Sequence, residues 1–541
     1  MDTETKKNPK IFHPFLIAFF PIIAVYSVNI GLIQLEQFIL TTLLIVGSAF
    51  LFFLCLKRIL KNRKKAALIV TLSFIIFFSF GHVYNMLNQI SIDDVDLGSN
   101  RILLPIFTIL FGIGSFLIIK TKRTLDNATS IVNTISVVII FVIVVMVGIE
   151  TFGCDECLIQ QNTSWYFDFF SDEKIDLSSY FEDHSFSISE SDSLPNIYYI
   201  ILDGYPRNDV LKKHVNFDNS EFTDLLKQRG FHVAENSHAN YSFSSPSISS
   251  TMNMNYINFL VDEVGEDSRD YNPILGKDFG LYADNQVIKN FKLMGYKVVK
   301  IGLAATYLHE IPLADLSPCY KTIHLMDNRL FDAVGSTSMV GYFIERWAEE
   351  QQRQIILCDF EELPKISGYF EEPVFVWSHI MIPHFPLIFG PNGEPITPGT
   401  SLLTMNHPEY TDDSWDVKPQ FVQQIQFTNK KSIEFIDKIL ENEKRSVIII
   451  QSDHGSAFGV NLQDPTDDDA FQKLSNLSAI YFPDEKHREM LTDDRTNVNT
   501  FRTVFNAYYG SNYEILEDRA YWGLSFKKPF WFKDMTNVLM N

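Results

Sequence analysis

The chain has 541 residues, a hydrophobic fraction of 46% that includes 47 Phe, and a formal net charge of -21. That length exceeds one ordinary domain, and the acid excess argues against a nucleic-acid partner. Most of the acid lies in the second half, whereas Phe, Ile, Leu and Val crowd the first 150 residues. The two halves are therefore built for different solvents, lipid for the first and water for the second.

Five apolar runs in the first half are each long enough to span a hydrocarbon core of about 30 Å. They cover about 11–33, 38–56, 66–87, 102–119 and 131–149, which gives a transmembrane region over 1–150. Cations set the expected orientation, because cytoplasmic loops are rich in Lys and Arg. Lys6, Lys7 and Lys10 precede the first run, six cations from Lys57 to Lys65 follow the second, and Lys120, Lys122 and Arg123 follow the fourth. The intervening loops carry Glu36 and then Asp93, Asp94 and Asp96. The N-terminus is therefore expected on the cytoplasmic side of a bacterial inner membrane and everything beyond residue 149 on the extracytoplasmic side. Cys154, Cys157, Cys319 and Cys358 then fall in an oxidising compartment, where an even number permits disulfides.

Residues 151–194 mix Ser, Asp, Glu and Phe without periodicity and read as a connector. From 195 to 541 short apolar runs alternate with helical patterns, as in an α/β domain with a largely parallel sheet. Strands are expected at Ile197–Leu202, Phe231–Ala234, Tyr296–Ile301, Val374–Trp377 and Val447–Gln451. Gly230 and Gly295 each close the helix before a strand, a position that favours the left-handed conformation glycine adopts freely.

Ligands in such sheets gather beyond the carboxyl ends of the strands. There the sequence delivers Asp203-Gly204, Ser378-His379 and Ser452-Asp453-His454-Gly455. Singly these are ordinary turns and caps; jointly they bring carboxylates and imidazoles to one edge, a donor set suited to Zn²⁺ or Mn²⁺. The segment Asn240 to Ser250 adds a run of hydroxyls around Pro246. Proline favours the first turn of a helix, which puts Ser244 or Ser245 at or beside the N-cap, where free N–H groups attract an anion. A serine there can attack phosphorus or sulfur once a metal lowers its pKa.

Asp203, the Ser244-x-Pro246-Ser247 segment, Pro383-His384-Phe385-Pro386 and Ser452-Asp453-His454-Gly455 resemble, in order and approximate spacing, the sulfatase-like branch of the alkaline phosphatase superfamily. The resemblance covers roughly 195–510 and extends to Asn476–Tyr481 and Asn499–Arg502. The branch includes arylsulfatases, lipoteichoic acid synthases and phosphoethanolamine transferases. The resemblance implies that Asp203, Asp453 and His454 hold a divalent metal, with Ca²⁺ an alternative to Zn²⁺ or Mn²⁺. Ser244 would be both ligand and nucleophile. His384 would bind substrate oxygens, and His379 would assist with a second cation or the leaving group.

Departures from each subfamily narrow this. The sulfatase signature that converts Cys or Ser to formylglycine carries an Arg two residues after its Pro, and Ile248 stands there. The transferases use Thr as nucleophile and a further His beyond the Asp-His-Gly motif, and 455–470 has none. The expectation is an unmodified serine, one metal and phosphoester ahead of sulfate chemistry, acting on a lipid-linked or glycan substrate at the bilayer. Two competing readings are a formylglycine sulfatase and a non-catalytic envelope protein that retains the fold.

Overall fold

The computed structural model describes residues 9–27, 35–87, 100–152, 194–261, 285–302, 311–319, 328–396, 417–442, 445–462 and 464–523, with short pieces at 33, 91–92, 95–96, 180, 186, 281–283 and 532–539. The chain divides into two compact units, one holding 1–170 with 322–348 and 402–404, the other holding the rest.

The first unit contains helices α1 (His13–Ser27), α2 (Leu35–Leu60), α3 (Arg63–Leu87), α4 (Asn100–Lys120) and α5 (Asp126–Phe152). Four of the five are long and apolar enough to cross a membrane. The described part of α1 has 15 residues, short of the expected 11–33 run; at 1.5 Å per residue it extends only about 22 Å. His13, Thr71 and Asn133 are buried polar side chains of this unit. The Asn133 amide oxygen accepts from the backbone N–H of His13 at 3.1 Å, and His13 Nδ1 lies 2.6 Å from the Thr71 hydroxyl, tying α1 to α5 and α3.

Whereas the sequence reading assigns 195–541 to one exported domain, compactness groups 322–348 with the helices. The cause is an amphipathic helix, Arg329–Ser336, whose Leu330 and Val334 are fully buried in a cluster with Ile22 and Ile33. Of the expected connector, 153–193 lies outside the described residues except Tyr180 and Phe186, and so do Cys154 and Cys157.

The second unit is built on a six-stranded sheet: β1 (Asn196–Leu202), β2 (His232–Val233), β3 (Lys297–Ile301), β4 (Val374–Ile380), β5 (Ser446–Gln451) and β6 (Ser478–Tyr481). Their spatial order is β2-β6-β5-β1-β4-β3. The four strands from β5 to β3 are parallel; β6 runs antiparallel to both of its neighbours, β5 and β2, so β2 shares the direction of the four. Both faces are covered, so β1 and β4 are apolar at nearly every position.

The two-residue alternation of side chains divides the core into two layers. Tyr198, Ile200, Val376 and Ile450 face one way, toward Ile356 and Phe360 of α10 (Gly341–Glu362) and Phe421, Ile425 and Phe435 of α11 (Lys418–Asn442). Tyr199, Ile201, Trp377 and Ile449 face the other way, toward Ile248 and Met252 of α7 (Ser244–Asn253), Phe291 of α8 (Gln286–Leu293) and Phe501 and Phe505 of α12 (Thr500–Tyr508). The preceding α6 (Ser220–Gln228) contributes Phe222 and Leu226 to the first layer, and the helix at 329–336 is α9. Cys319 and Cys358 form a disulfide with Cα atoms 5.7 Å apart.

Candidate metal and nucleophile site

Strand register assembles the site. Leu202 of β1 pairs with Ile380 of β4, and Ile201 pairs with both His379 and Gln451. Continuing that register two residues past Gln451 sets Asp203 level with Asp453. The expected strand-end groups thus share one edge because three parallel strands end together.

Each turn after a strand is tied to its neighbour. The Gly204 N–H donates to Asp453 Oδ1 at 3.1 Å, and the backbone N–H of His454 donates to the same oxygen at 3.1 Å. The His384 N–H donates to the carbonyl of Asp203 at 3.0 Å. Gly204 has φ of +67°, and a Cβ there would lie 3.2 Å from the His384 ring, so both conformation and space favour glycine. Gly302, beyond β3, has φ of +83°, and a Cβ there would lie 2.0 Å from the carbonyl oxygen of His379.

Ser244 lies on α7, but the helix starts earlier than expected. Phe243 is the N-cap, Ser244 the first helical residue and Pro246 the third. Proline fits there because the N–H groups of a first helical turn have no partner in the helix. The Ser247 hydroxyl donates to the carbonyl of Asp453 at 2.7 Å, which fixes the helix start against the strand end. Ser244 Oγ lies 3.2 Å from His454 Nε2.

Backbone carbonyls orient both imidazoles. His454 Nδ1 is 2.8 Å from the carbonyl of Gly455, and His384 Nδ1 is 2.8 Å from the carbonyl of Phe385. In each ring this turns Nδ1 toward the backbone and leaves Nε2 as the ring nitrogen on the other side. His379 Nε2 lies 3.0 Å from Asp203 Oδ2. Asp203, His379, Asp453 and His454 are all buried, and Ser244 and His384 are half-buried.

Two carboxylate oxygens, Asp203 Oδ1 and Asp453 Oδ2, are buried without a hydrogen-bond partner. They lie 3.9 and 3.6 Å from His454 Nε2. Orphaned buried carboxylate oxygens are costly unless a cation satisfies them. Ligand atoms on tetrahedral zinc with bonds of about 2.1 Å stand roughly 3.4 Å apart, close to these separations. Donor atoms of Asp203, His384 and His454, and of Asp203, His379 and Asp453, fall within 4.8 Å of one another in two overlapping groups. The donor set therefore fits a divalent metal.

Electrostatics agree with that fit. Burial opposes charge on Asp203, yet His384, His379 and His454 together hold its carboxyl well below the usual range. Burial pushes His454 down against the pull of Asp453, favouring the neutral imidazole a metal requires.

Four further residues belong to the site or its support. Lys473, fully buried, brings Nζ to 3.3 Å from His454 Nδ1. Asn476 and Asn497 both donate to the carbonyl of Ser452, the latter at 2.9 Å, and so fix the end of β5. The Tyr282 hydroxyl is buried and unpartnered, its pKa raised well above the ordinary value by burial and then by Asp453 and Asp203. Asn476 lies in a stretch noted in the sequence; Lys473, at the end of a helical pattern, and Tyr282 had no distinguishing signal.

No protein-family model and no curated protein matches the chain. Among solved structures, the chain is similar to the C-terminal periplasmic domain of phosphoethanolamine transferase EptC from Campylobacter jejuni at 10% identity, covering 64% of this chain and 98% of that one, with a TM-score of 0.37. It is similar to the integral membrane lipooligosaccharide phosphoethanolamine transferase A of Neisseria meningitidis at 12% identity, covering 92% and 95%, with a TM-score of 0.37. It is similar to a phosphonate monoester hydrolase of Agrobacterium radiobacter at 14% identity, covering 61% and 80%, with a TM-score of 0.39. At TM-scores below 0.5 none of these likenesses bears on the reading of the site.

Proposed function

We propose that this chain is a membrane-anchored, metal-dependent hydrolase or transferase that cleaves phosphoric or sulfuric esters of a cell-envelope lipid or glycan through an unmodified Ser244. The observation that carries the reading is the convergence of the Ser244 hydroxyl, at the first position of a helix, with two orphaned carboxylate oxygens and His454 Nε2, 3.2 Å from that hydroxyl. In this reading Asp203, Asp453 and His454 hold the metal with Ser244 as a further ligand, and Zn²⁺ or Mn²⁺ suits the donors best. When bound, the metal lowers the pKa of the hydroxyl and carries charge on the transferred group.

The chain's own groups do the rest. The unpaired N–H groups of the first turn of α7 face the anionic oxygens of the substrate. Ser244 Oγ attacks phosphorus, the ester bond to the departing alcohol breaks, and that alcohol leaves with a proton. A covalent Ser244 ester remains until water or an acceptor hydroxyl releases it. His384, oriented by the 2.8 Å contact of its Nδ1 with the carbonyl of Phe385, binds the oxygens of the transferred group. His379 holds Asp203 in position through their 3.0 Å contact. The exported placement of this unit follows from cation placement between the helices and agrees with the Cys319–Cys358 disulfide, a bond retained in oxidising compartments.

The test combines metal analysis with turnover of a chromogenic phosphodiester. Purified full chain should carry divalent metal in fixed ratio, lose it on Asp203→Ala, and lose turnover but keep metal on Ser244→Ala. Full turnover in Ser244→Ala alongside an inactive Asp453→Ala rejects the nucleophile. Absence of stoichiometric metal favours the non-catalytic alternative.

A further inference from the structure

The helical unit contains a feature that the ester chemistry does not use. Residues 328–348 are fastened to α2 and α3 at two places. Asn328 caps α9 by accepting the Phe331 N–H at 2.9 Å, accepts the Thr41 hydroxyl at 3.1 Å and donates to the carbonyl of Gln37 at 3.3 Å. Past α9, the Gly81 N–H donates to the carbonyl of Thr337 at 3.0 Å, and the Met339 N–H donates to the carbonyl of Phe77 at 2.9 Å. A Cβ on Gly81 would lie 2.6 Å from the Thr337 backbone, so this close approach requires glycine.

Beneath this segment lies a cavity of about 440 Å³ between α2 and α3, with walls that include Leu44, Phe52, Phe74, Phe78, Phe331 and Ile344. That volume is within the roughly 300–1,000 Å³ of small-molecule sites. The lining from Leu44 to Phe52 runs eight residues along α2, or about 12 Å of helix. Of the three serines in the lining, Ser48 donates to the carbonyl of Ile45 at 2.7 Å and Ser338 to that of Gly335 at 2.6 Å, which leaves Ser73 as the one polar side chain not tied to its own turn in these contacts. A water needs two to four polar partners, and walls made of Leu, Ile, Val and Phe around three hydroxyls favour an apolar occupant instead. Such an occupant enters from hydrocarbon, since neighbouring Leu43 and Leu51 are exposed on a helix of membrane-spanning length and composition.

A second observation points to the same environment. Phe343 and Trp347 are 62% and 40% exposed, four residues apart on one face of α10. Exposed large apolar groups in this pattern suit the bilayer interface, where Trp is enriched.

We infer that residues 328–348 form an interfacial seat that closes over one acyl chain of a bilayer phospholipid, held in the slot between α2 and α3. Moving a chain from bilayer to slot exchanges one apolar surrounding for another, so hydrophobicity does not select it. Selection comes from packing under the seat, whose two fastenings fix the height of the slot. The inference goes beyond the ester chemistry and holds whether or not Ser244 reacts.

The test uses the full chain in nanodiscs of phosphatidylethanolamine and phosphatidylglycerol doped with a phospholipid carrying a mid-chain diazirine, with adducts mapped by peptide mass spectrometry. Labelling should concentrate several-fold on 44–52, 73–78 and 331–344 relative to the lipid-facing stretch 109–117. It should persist in Ser244→Ala. Filling the slot with Ser73→Phe, or from the opposite wall with Gly335→Leu, should strip label from 331–344. Leu110→Trp, on the lipid-facing surface, should leave that label unchanged. Two independent fillings guard against misfolding of one, and thermal unfolding of each in the same discs verifies the fold. Even labelling of 331–344 and 109–117 overturns the inference, as does label that survives both fillings. Protein–protein crosslinks through 331–344 overturn it in favour of a second copy of the chain.

Discussion

The two units use the same apolar residue types in opposite ways. In the sheet unit Ile200, Trp377 and Ile450 are fully buried, while carboxylates and imidazoles gather where three strands end. In the helical unit Leu43 and Leu117 are 66% and 61% exposed, while His13, Thr71 and Asn133 turn inward. The difference teaches that burial alone does not rank a residue's importance in this chain. In the sheet unit it measures removal from water; in the helical unit exposure is exposure to lipid, and an outward Leu loses little when shortened.

Substitutions can break or sharpen that contrast. The largest effect is expected at the strand ends: Asp203→Asn should lower turnover by at least about a hundred-fold, the scale of losing a preorganised electrostatic contact. Steady-state kinetics at matched metal loading checks it. Next comes Trp377→Ala, which empties the layer beneath the site and should cost about 3–5 kcal/mol. Leu117→Ala on α4 should stay within about 0.5 kcal/mol, as lipid-facing truncations leave no cavity. Thermal unfolding of both in one detergent tests the pair, and equal losses would dissolve the contrast.

Gly302→Ala should cost roughly 1–3 kcal/mol through its left-handed backbone and the clash with the His379 carbonyl. Because His379 holds Asp203, turnover should fall as well, which a stability loss remote from the site would not produce. A modest effect, above that of Leu117→Ala, is expected at Asp315, which accepts from Lys292 and, at 2.7 Å, from the Val298 N–H. Burial opposes its charge, but these two donors hold its carboxyl below the ordinary value. A depressed carboxyl stabilises above the unfolded pKa of about 3.9 and loses that contribution as pH falls. Asp315→Asn should therefore cost about 1 kcal/mol at neutral pH and less below pH ~4, read by denaturant titration at both.

Much of the sheet and its edge was legible because parallel strands buried on both faces read as unbroken apolar runs, and each run stops at a polar group with no place in a core. Asp203, Asp453 and His454 were placed that way, whereas β4 continues through Ser378 and His379 to Ile380, so His379 stands inside its strand and not past its end. The start of α7 was misjudged by two residues: Pro246 tolerates any position in the first turn, so it marks a helix start only loosely. The return of 322–348 to the helical unit was illegible, because α9 is short and its apolar face gains meaning only against Ile22 and Ile33. Lys473 and Tyr282 were missed for a similar reason, their contribution being contacts across more than a dozen residues of chain.

The central claim, an unmodified serine that forms a covalent ester, is tested most directly by the mass of the peptide containing Ser244. The full chain with metal bound is mixed with a phosphodiester, quenched in acid and digested. The account predicts serine of ordinary mass before mixing and a phosphoryl adduct on Ser244 after it. An aldehyde mass at Ser244, or turnover with no adduct at any time of quenching, would contradict it.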